Sequence, residues 1–470
     1  MAAVCEEGVV APSERIQGDQ VAGGTNMPQP LRFIDLFAGL GGFHQALKAL
    51  GHKCVFACEI DEDLATLYEK NFALRPHRDI RTLHVDAVPE HEILCAGFPC
   101  QPFSKAGSQE GLDCPQWGDL IDYVVRILRT RKPRYFIIEN VPNLVRHNNG
   151  NTWRSIEHRL RLAGYSVRDA VLSPHQFGVP QIRERAFIVG RRGGLESFQW
   201  PKPKHSALTI RSVLDESPEN AKSLGNQFLK YLRAWQKFLD LFPEEEQLPS
   251  FPIWAMEFGA TYPYEELSPA GVGWNKLGSF RGSLGISLRR LSKSEVIAAL
   301  PAYARGGARK FPKWKIDFIR QNRELYKRHK KWIDKWLPSI KEFAPSFQKF
   351  EWNCKGEERD VEKYVIQFRA SGIRLKRPTT APSLIAMTTS QVPVIGWERR
   401  YMTIRECSRL QSMGDLRYLP ETQGAAFKAL GNAVNVDVVR ELARSLLVLE
   451  AEITELRVQL CNSERRQVAA

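Results

Sequence analysis

"LRFIDLFAGLGGFHQALKALGHKCVFACEID", residues 31–61, runs from an apolar stretch through a glycine-rich turn and a helical pattern into a second apolar stretch that ends in an acid. Strand, turn, helix and strand within about 30 residues is the length of a β-α-β unit. The stretch therefore predicts an α/β fold that opens on a doubly wound parallel sheet. Short apolar runs follow at "HEILCAGF" (91–98), "RYFIIENV" (134–141) and "RAFIVG" (185–190). Between them, "DLIDYVVRILRTRK" (119–132) and "TWRSIEHRLRLAGY" (152–165) repeat their apolar residues at three and four, the helical period. Residues 31–199 thus read as one α/β domain behind a loose tail, residues 1–30, which has no basic start or apolar stretch of a signal peptide.

At "WPKPKHS" (200–206) the texture changes to a Pro-rich, basic linker, and the alternation of strand and helix is lost over residues 200–400. Within that region Phe311, Phe318, Leu325 and Trp332 recur every seven residues in a strongly basic stretch, which predicts a long amphipathic helix with a basic outer face. Helical pattern returns in "TIRECSRLQSMG" and "NVDVVRELARSLLVLEAEITELRVQL", which predicts a return segment, 401–450, and a helical tail, 451–470.

The chain carries 67 Lys+Arg against 53 Asp+Glu over 470 residues, a net charge of +14. A surplus of that size favours a polyanionic partner. Nucleic acid comes before a membrane surface, because no run approaches the roughly 18 apolar residues of a spanning helix. Nine cysteines, an odd number that never forms C-x-x-C, fit neither a zinc ribbon nor a disulfide framework. No metal is expected, and a reducing cytoplasm is the expected compartment.

Four strand ends carry candidate chemistry. The turn "FAGLGG" (37–42) lets a ligand approach the backbone at a helix N-terminus, but His44 stands where a third glycine would complete a dinucleotide fingerprint. Glu59 ends the second strand, where an acid can accept hydrogen bonds from ribose hydroxyls, so a nucleoside cofactor without a pyrophosphate fits both facts. In "GFPCQPFS" (97–104), Pro99 and Pro102 stiffen the backbone around Cys100 just past another strand end. Glu139 of "ENV" follows the apolar "YFII", a setting that desolvates a carboxylate and raises its pKa. Arg183 and Arg185 of "QIRERAF" alternate on an extended segment and so point the same way.

Taken together, "FIDLFAGLGGF", "CEID", "GFPCQPFS", "ENV", "QIRERAFIVG", "TIRECSRLQ" and "LGNAVNV" resemble, in order and spacing, the DNA cytosine-5 methyltransferase family across residues 31–447. The resemblance implies a Rossmann-like methyltransferase domain with a smaller target-recognition domain inserted before the C-terminal helices. It implies S-adenosyl-L-methionine as cofactor and S-adenosyl-L-homocysteine as product. Phe37, Ala38, Gly39, Leu40, Gly41 and Gly42 would line the cofactor, Glu59 would take the ribose, and Ile60, Asp79 and Ile80 the adenine. Pro99, Leu120 and Asn432 would complete that pocket, although Asp119 replaces the threonine usual before Leu120. Cys100 matches the nucleophile and Glu139, Arg183 and Arg185 the other catalytic positions.

The partner so implied is double-stranded DNA, gripped by the second domain, with the target cytosine flipped out of the helix. A monomer in a prokaryotic cytoplasm, associated with the nucleoid and paired with a cognate restriction endonuclease, is the implied setting. A tRNA cytosine-5 methyltransferase would typically show Cys-Phe-Thr ahead of its second recognition region, which this sequence lacks. A catalytically silent DNA-binding regulator would show a substituted Cys100, Glu139 or Arg185, and all three are present.

Overall fold

A computed structural model describes residues 30–99, 119–384 and 391–447. The opening stretch forms strand β1 (Arg32–Leu36), the helix Gly42–Lys48 and strand β2 (Lys53–Cys58). With β3 (Ile93–Ala96), β4 (Tyr135–Asn140), β5 (Ser166–Leu172) and β6 (Arg185–Arg191) they make a six-stranded sheet of order β2-β1-β3-β4-β6-β5.

The first four strands are parallel, whereas β6 runs antiparallel between β4 and β5. The sheet is therefore mixed, not parallel throughout. After the helix Asn151–Leu162 the chain enters at the outer edge as β5, and β6 returns beside it without the crossover helix a parallel pair needs. β5, "SVRDAVL", escaped the sequence reading because it is a half-exposed edge strand with no apolar run.

Alternate residues of this sheet divide between two cores. Phe33, Ile93, Ile137 and Val189 enter one cluster; Ile34, Leu94, Ile138 and Ile188 enter another on the opposite face. Burial on both faces is what unbroken apolar strands demand. Because β1 to β4 are parallel, their C-terminal ends share one edge, where open α/β sheets hold their ligands.

Residues 200–400 hold a second six-stranded sheet, which the loss of alternation hid. Its strands, β7 (Ile253–Trp254), β8 (Lys349–Asn353), β9 (Val365–Arg369), β10 (Gly372–Lys376), β11 (Val394–Ile395) and β12 (Arg400–Tyr401), are short and lie in the order β12-β11-β9-β10-β8-β7. One face is packed by an aromatic layer. The helices Asn226–Leu241 and Lys313–Trp336 bring Trp235, Phe238 and Trp336 onto Phe350, Phe368, Ile373 and Leu375. Trp235 stacks on Phe350 with centroids 4.8 Å apart, and its Nε1 donates to the Phe347 carbonyl at 2.9 Å.

The long basic helix is present, but its buried stripe is offset from the predicted one. Ile319, Asn322, Leu325, Ile333 and Trp336 turn inward, while Phe318 and Trp332 are half-buried and Phe311 precedes the helix. Asn322 enters the core because its side chain accepts from the Trp254 amide at 2.7 Å and donates to the Pro252 carbonyl at 3.0 Å.

The first core does not end at residue 199. Ile210 and Val213 belong to it, as do Val365 and Ile395 of the second sheet. The chain enters and leaves the second region side by side: the Leu224 amide donates to the Arg399 carbonyl at 2.7 Å, and the Tyr401 amide to the Lys222 carbonyl at 2.9 Å. Buried Arg400 then forks onto Glu406 with two bonds of 2.8 Å, joining β12 to the helix Ile404–Leu410. That helix opens with a reciprocal cap between Thr403 and Glu406. Helix Gln423–Asn432 and helical residues 436–447 follow, and Cys407, Leu430, Val439 and Leu442 complete the first core.

Candidate active site

The glycine turn after β1 departs from ordinary backbone at three places, with φ +59° at Phe37, +52° at Gly39 and +76° at Gly41. The Gly39 amide donates to Glu59 Oε2 at 2.8 Å, and a side chain at Gly39 would meet nothing within 4 Å, so the turn opens onto free space there. Glu59 Oε1 accepts from the Asp61 amide at 2.9 Å. The carboxyl is buried and lifted above its ordinary range by that burial, against the pull of the two amides. At Gly42 a Cβ would stand 2.5 Å from the Val434 carbonyl oxygen, so the turn and the "GNAV" segment meet too closely for any side chain.

These elements enclose a cavity of about 580 Å³ at the C-terminal edge of β1 to β4. Phe37, Ala38, Gly39, Leu40 and Gly42 line it, with Glu59, Ile60, Asp79, Ile80, Pro99, Leu120 and Asn432. Glu139, Arg183 and Arg185 line the same space. Of the residues singled out from sequence, Gly41 is brought elsewhere: its Cα faces the rings of Phe72 and Tyr68, under which any Cβ would collide. Its need is conformational, and it does not line the cavity. Cys100 lies outside the described residues.

Glu139 is 6% exposed, and Arg185 Nε reaches its Oε1 at 3.0 Å. Burial holds this carboxyl above its usual pKa, with the two arginines pulling the other way. Next to it, Asn140 Nδ2 donates to the Phe98 carbonyl at 3.0 Å and so fixes the approach of Gly97 to Pro99. Sequence reading quoted Asn140 within "ENV" but gave it no task. A strand-end amide after a carboxylate was the available signal.

The C-5 cytosine-specific DNA methylase family matches residues 31–240 and 291–447. The chain belongs to that family. It is 31% identical over 488 residues to the type II methyltransferase M.AluI of Cellulosimicrobium cellulans, covering 88% of this chain and 91% of that one. It is 43% identical over 186 residues to the type II methyltransferase M.HhaI of Haemophilus parahaemolyticus, which covers 39% of this chain and 57% of the other. A crystal structure of a prophage-encoded DNA modification methyltransferase of E. coli aligns with a TM-score of 0.50 at 17% identity, covering 90% of this chain and 99% of that one, a likeness of fold.

In this methylase the two arginines differ in what they hold. Arg185 faces Glu139. Arg183 is 2% exposed and donates through Nη1 to the Leu384 carbonyl at 3.0 Å and the Ser383 hydroxyl at 3.2 Å, and through Nη2 to the Gly431 and Ala433 carbonyls at 2.7 and 3.1 Å. It thereby fastens the turn bearing Asn432 to the strand-end loop. Behind the glycine turn the methylase buries Asp35, Tyr68 and His44 together. The Tyr68 hydroxyl meets His44 Nδ1 at 2.7 Å and Asp35 Oδ2 at 3.3 Å, and burial lowers the His44 pKa to about 4. Among the described residues no group of His, Cys, Asp and Glu could hold a metal ion, and no helix is long and apolar enough to cross a membrane.

Proposed function

We propose that the chain methylates C5 of a cytosine flipped out of duplex DNA, with S-adenosyl-L-methionine as methyl donor and a Cys100 adduct at C6. The observation that carries this reading is the buried Glu139–Arg185 pair on the wall of the cavity that the glycine turn and Asn432 also bound. The cavity suits the cofactor. Gly39 leaves open space, Glu59 offers lone pairs to ribose hydroxyls, and Ile60, 46% exposed, offers an apolar face to a flat ring. When bound, S-adenosyl-L-methionine supplies an electrophilic methyl group.

Cytosine C5 is too weak a nucleophile to take that methyl unaided. Addition of the Cys100 thiolate to C6, with proton transfer from Glu139 to N3, turns the ring into an enamine whose C5 can attack. A carboxyl lifted by burial keeps its proton for that transfer, and Arg185 orients it and stabilises it once ionised. C5 then gives up its proton to a base, the C6–S electron pair returns to the thiolate, and the N3 proton goes back to the Glu139 carboxylate. Flipping costs a few kcal/mol of stacking, which contacts from the second region offset. Arg183 acts through the Asn432 turn as a positioning residue.

The kinship to type II methyltransferases supports protection of host DNA against a cognate restriction endonuclease. Purified protein is expected to transfer labelled methyl from S-adenosyl-L-methionine to duplex DNA, and Cys100→Ser to abolish transfer. Full activity of the serine variant would overturn the mechanism.

A further inference from the structure

The second sheet has one face lined by polar and charged side chains and partly covered, since Gln367 on it is buried. Ile366, Phe368, Ile373 and Leu375 enter the aromatic layer, so the alternate residues Gln367, Arg369, Arg374 and Lys376 stand on the other side. That side looks toward the first domain. Val365, on the same face, packs into the first core, and Lys376 lies near enough to His175 to depress its pKa, after burial. The far end is closed by Trp254 and Tyr303, whose rings lie 5.8 and 5.5 Å from Lys349 Nζ and belong to a separate cluster built on residues 254–319. The face is thus a floor between two walls.

Its charge is unbalanced. Across β8, β9 and β10 this face carries Lys349, Arg369, Arg374 and Lys376 against the single acid Glu351. Burial lowers the pKa of both lysines, and neither has a carboxylate at ion-pair distance among the described residues. Arg374 sits mid-sheet, opposite Gln367 on one side and Glu351 on the other. Glu351 holds Arg374 Nε through Oε2 at 2.6 Å and Arg369 Nη2 through Oε1 at 2.6 Å. Arg374 remains 34% exposed while Glu351 and Arg369 are each 14% exposed, and neither Nη of Arg374 has a partner among the described residues.

We propose that this face is the floor on which the DNA lies, and that Arg374, oriented by Glu351, reads a guanine through its two free Nη groups. The inference rests on the DNA-methylation reading above. A guanidinium anchored at Nε presents two parallel N–H donors along a fixed direction, the geometry that pairs with guanine O6 and N7 in the major groove. A phosphate contact needs no such anchor, and a flexible exposed lysine serves it equally well. Arg369 is then a positioning residue that shares Glu351 and balances its charge.

The test is bisulfite sequencing of a randomised duplex library methylated by the full-length enzyme and by Arg374→Ala and Arg374→Lys. Both variants are expected to lose preference for guanine at one position, with methylation of the wild-type site reduced about 10- to 100-fold relative to the relaxed sites. The salt dependence of DNA affinity should stay as in the wild type. A loss spread evenly over all sequences, with the salt slope shallower by about one, would overturn base reading in favour of a phosphate contact. An unchanged profile in both variants would overturn it in favour of a surface ion pair. If the wild type methylates no duplex at all, the DNA reading itself fails and this inference with it.

Discussion

The two six-stranded sheets of this protein handle their faces in opposite ways. The first is buried on both sides, so its strands are nearly all apolar and its polar groups are pushed to the strand ends, where Glu59 and Glu139 meet one cavity. The second is covered on one side by tryptophans and phenylalanines, and its polar groups stand along the strands on the other. A two-sided sheet leaves its polar groups at an edge; a one-sided sheet spreads them over a surface. The irregular part of the second region keeps its buried charge for structure instead: Glu257 is fully buried and binds Arg323 at 2.9 Å, together with the hydroxyls of Tyr262 and Tyr303.

This contrast can be broken at several points. Glu139→Gln should lower kcat by about 100- to 10,000-fold while DNA and cofactor affinity, measured by titration, stay near wild type. Because burial raises this carboxyl, the wild-type rate should fall as pH rises through the lifted pKa and the proton donor is lost. The alkaline fall should vanish in the glutamine variant, whose residual rate carries no such group. Loss of folding instead would make Glu139 a structural residue and remove the edge chemistry from the first sheet.

Trp336→Ala empties the aromatic layer of a fully buried side chain that also donates to the Ala234 carbonyl at 2.7 Å. About 3–5 kcal/mol of stability should be lost, seen as a lower urea midpoint. Cofactor binding by the surviving folded enzyme should be unaltered if the two cores are as separate as their contacts suggest. Arg183→Ala strips two donors from carbonyls of the Asn432 turn and should cost about 2–3 kcal/mol, and it should weaken cofactor affinity more than DNA affinity. Arg183→Lys is expected to restore only part of it, since one ammonium cannot span both pairs of acceptors.

The smallest effect is expected on the outer surface of the basic helix. Lys327, Lys331 and Lys335 are exposed along it. Replacing all three by alanine should change DNA affinity by less than about threefold and leave the target profile untouched, if the polar sheet face and not the helix face meets DNA. A large loss, read by fluorescence anisotropy across salt, would move the binding surface to the helices.

How much could be read from sequence follows the same division. β1, β3 and β4 declare themselves because strands covered on both sides are apolar runs, and the ends of β1 and β4 point to the turn at Gly39 and to Glu139. β5 did not, because an edge strand alternates and carries Arg168 and Asp169. The second sheet was invisible for a stronger reason. Its strands span two to five residues and are joined by long excursions, so no period of two lasts long enough to register. The predicted stripe of the basic helix missed by one position because Asn322, polar by composition, is drawn inward by backbone groups that only the fold brings near. Gly41 was assigned to the cofactor because sequence shows that a glycine is needed but not which neighbour forbids a side chain.

The backbone segments where the second region departs and returns, 222–224 and 399–401, lie side by side around the Ser223–Arg400 bridge. Both junctions lie within a few ångströms of each other and are secured by backbone hydrogen bonds that any sequence can form. Transplanting everything between Leu224 and Arg399 from a relative would leave the glycine turn and Glu139 in place but would replace Ser383 and Leu384, which hold Arg183, and Val365 and Ile395, which pack into the first core. An exchange at these two points keeps the first domain intact only where the incoming segment again supplies partners for Arg183 and apolar residues for the first core.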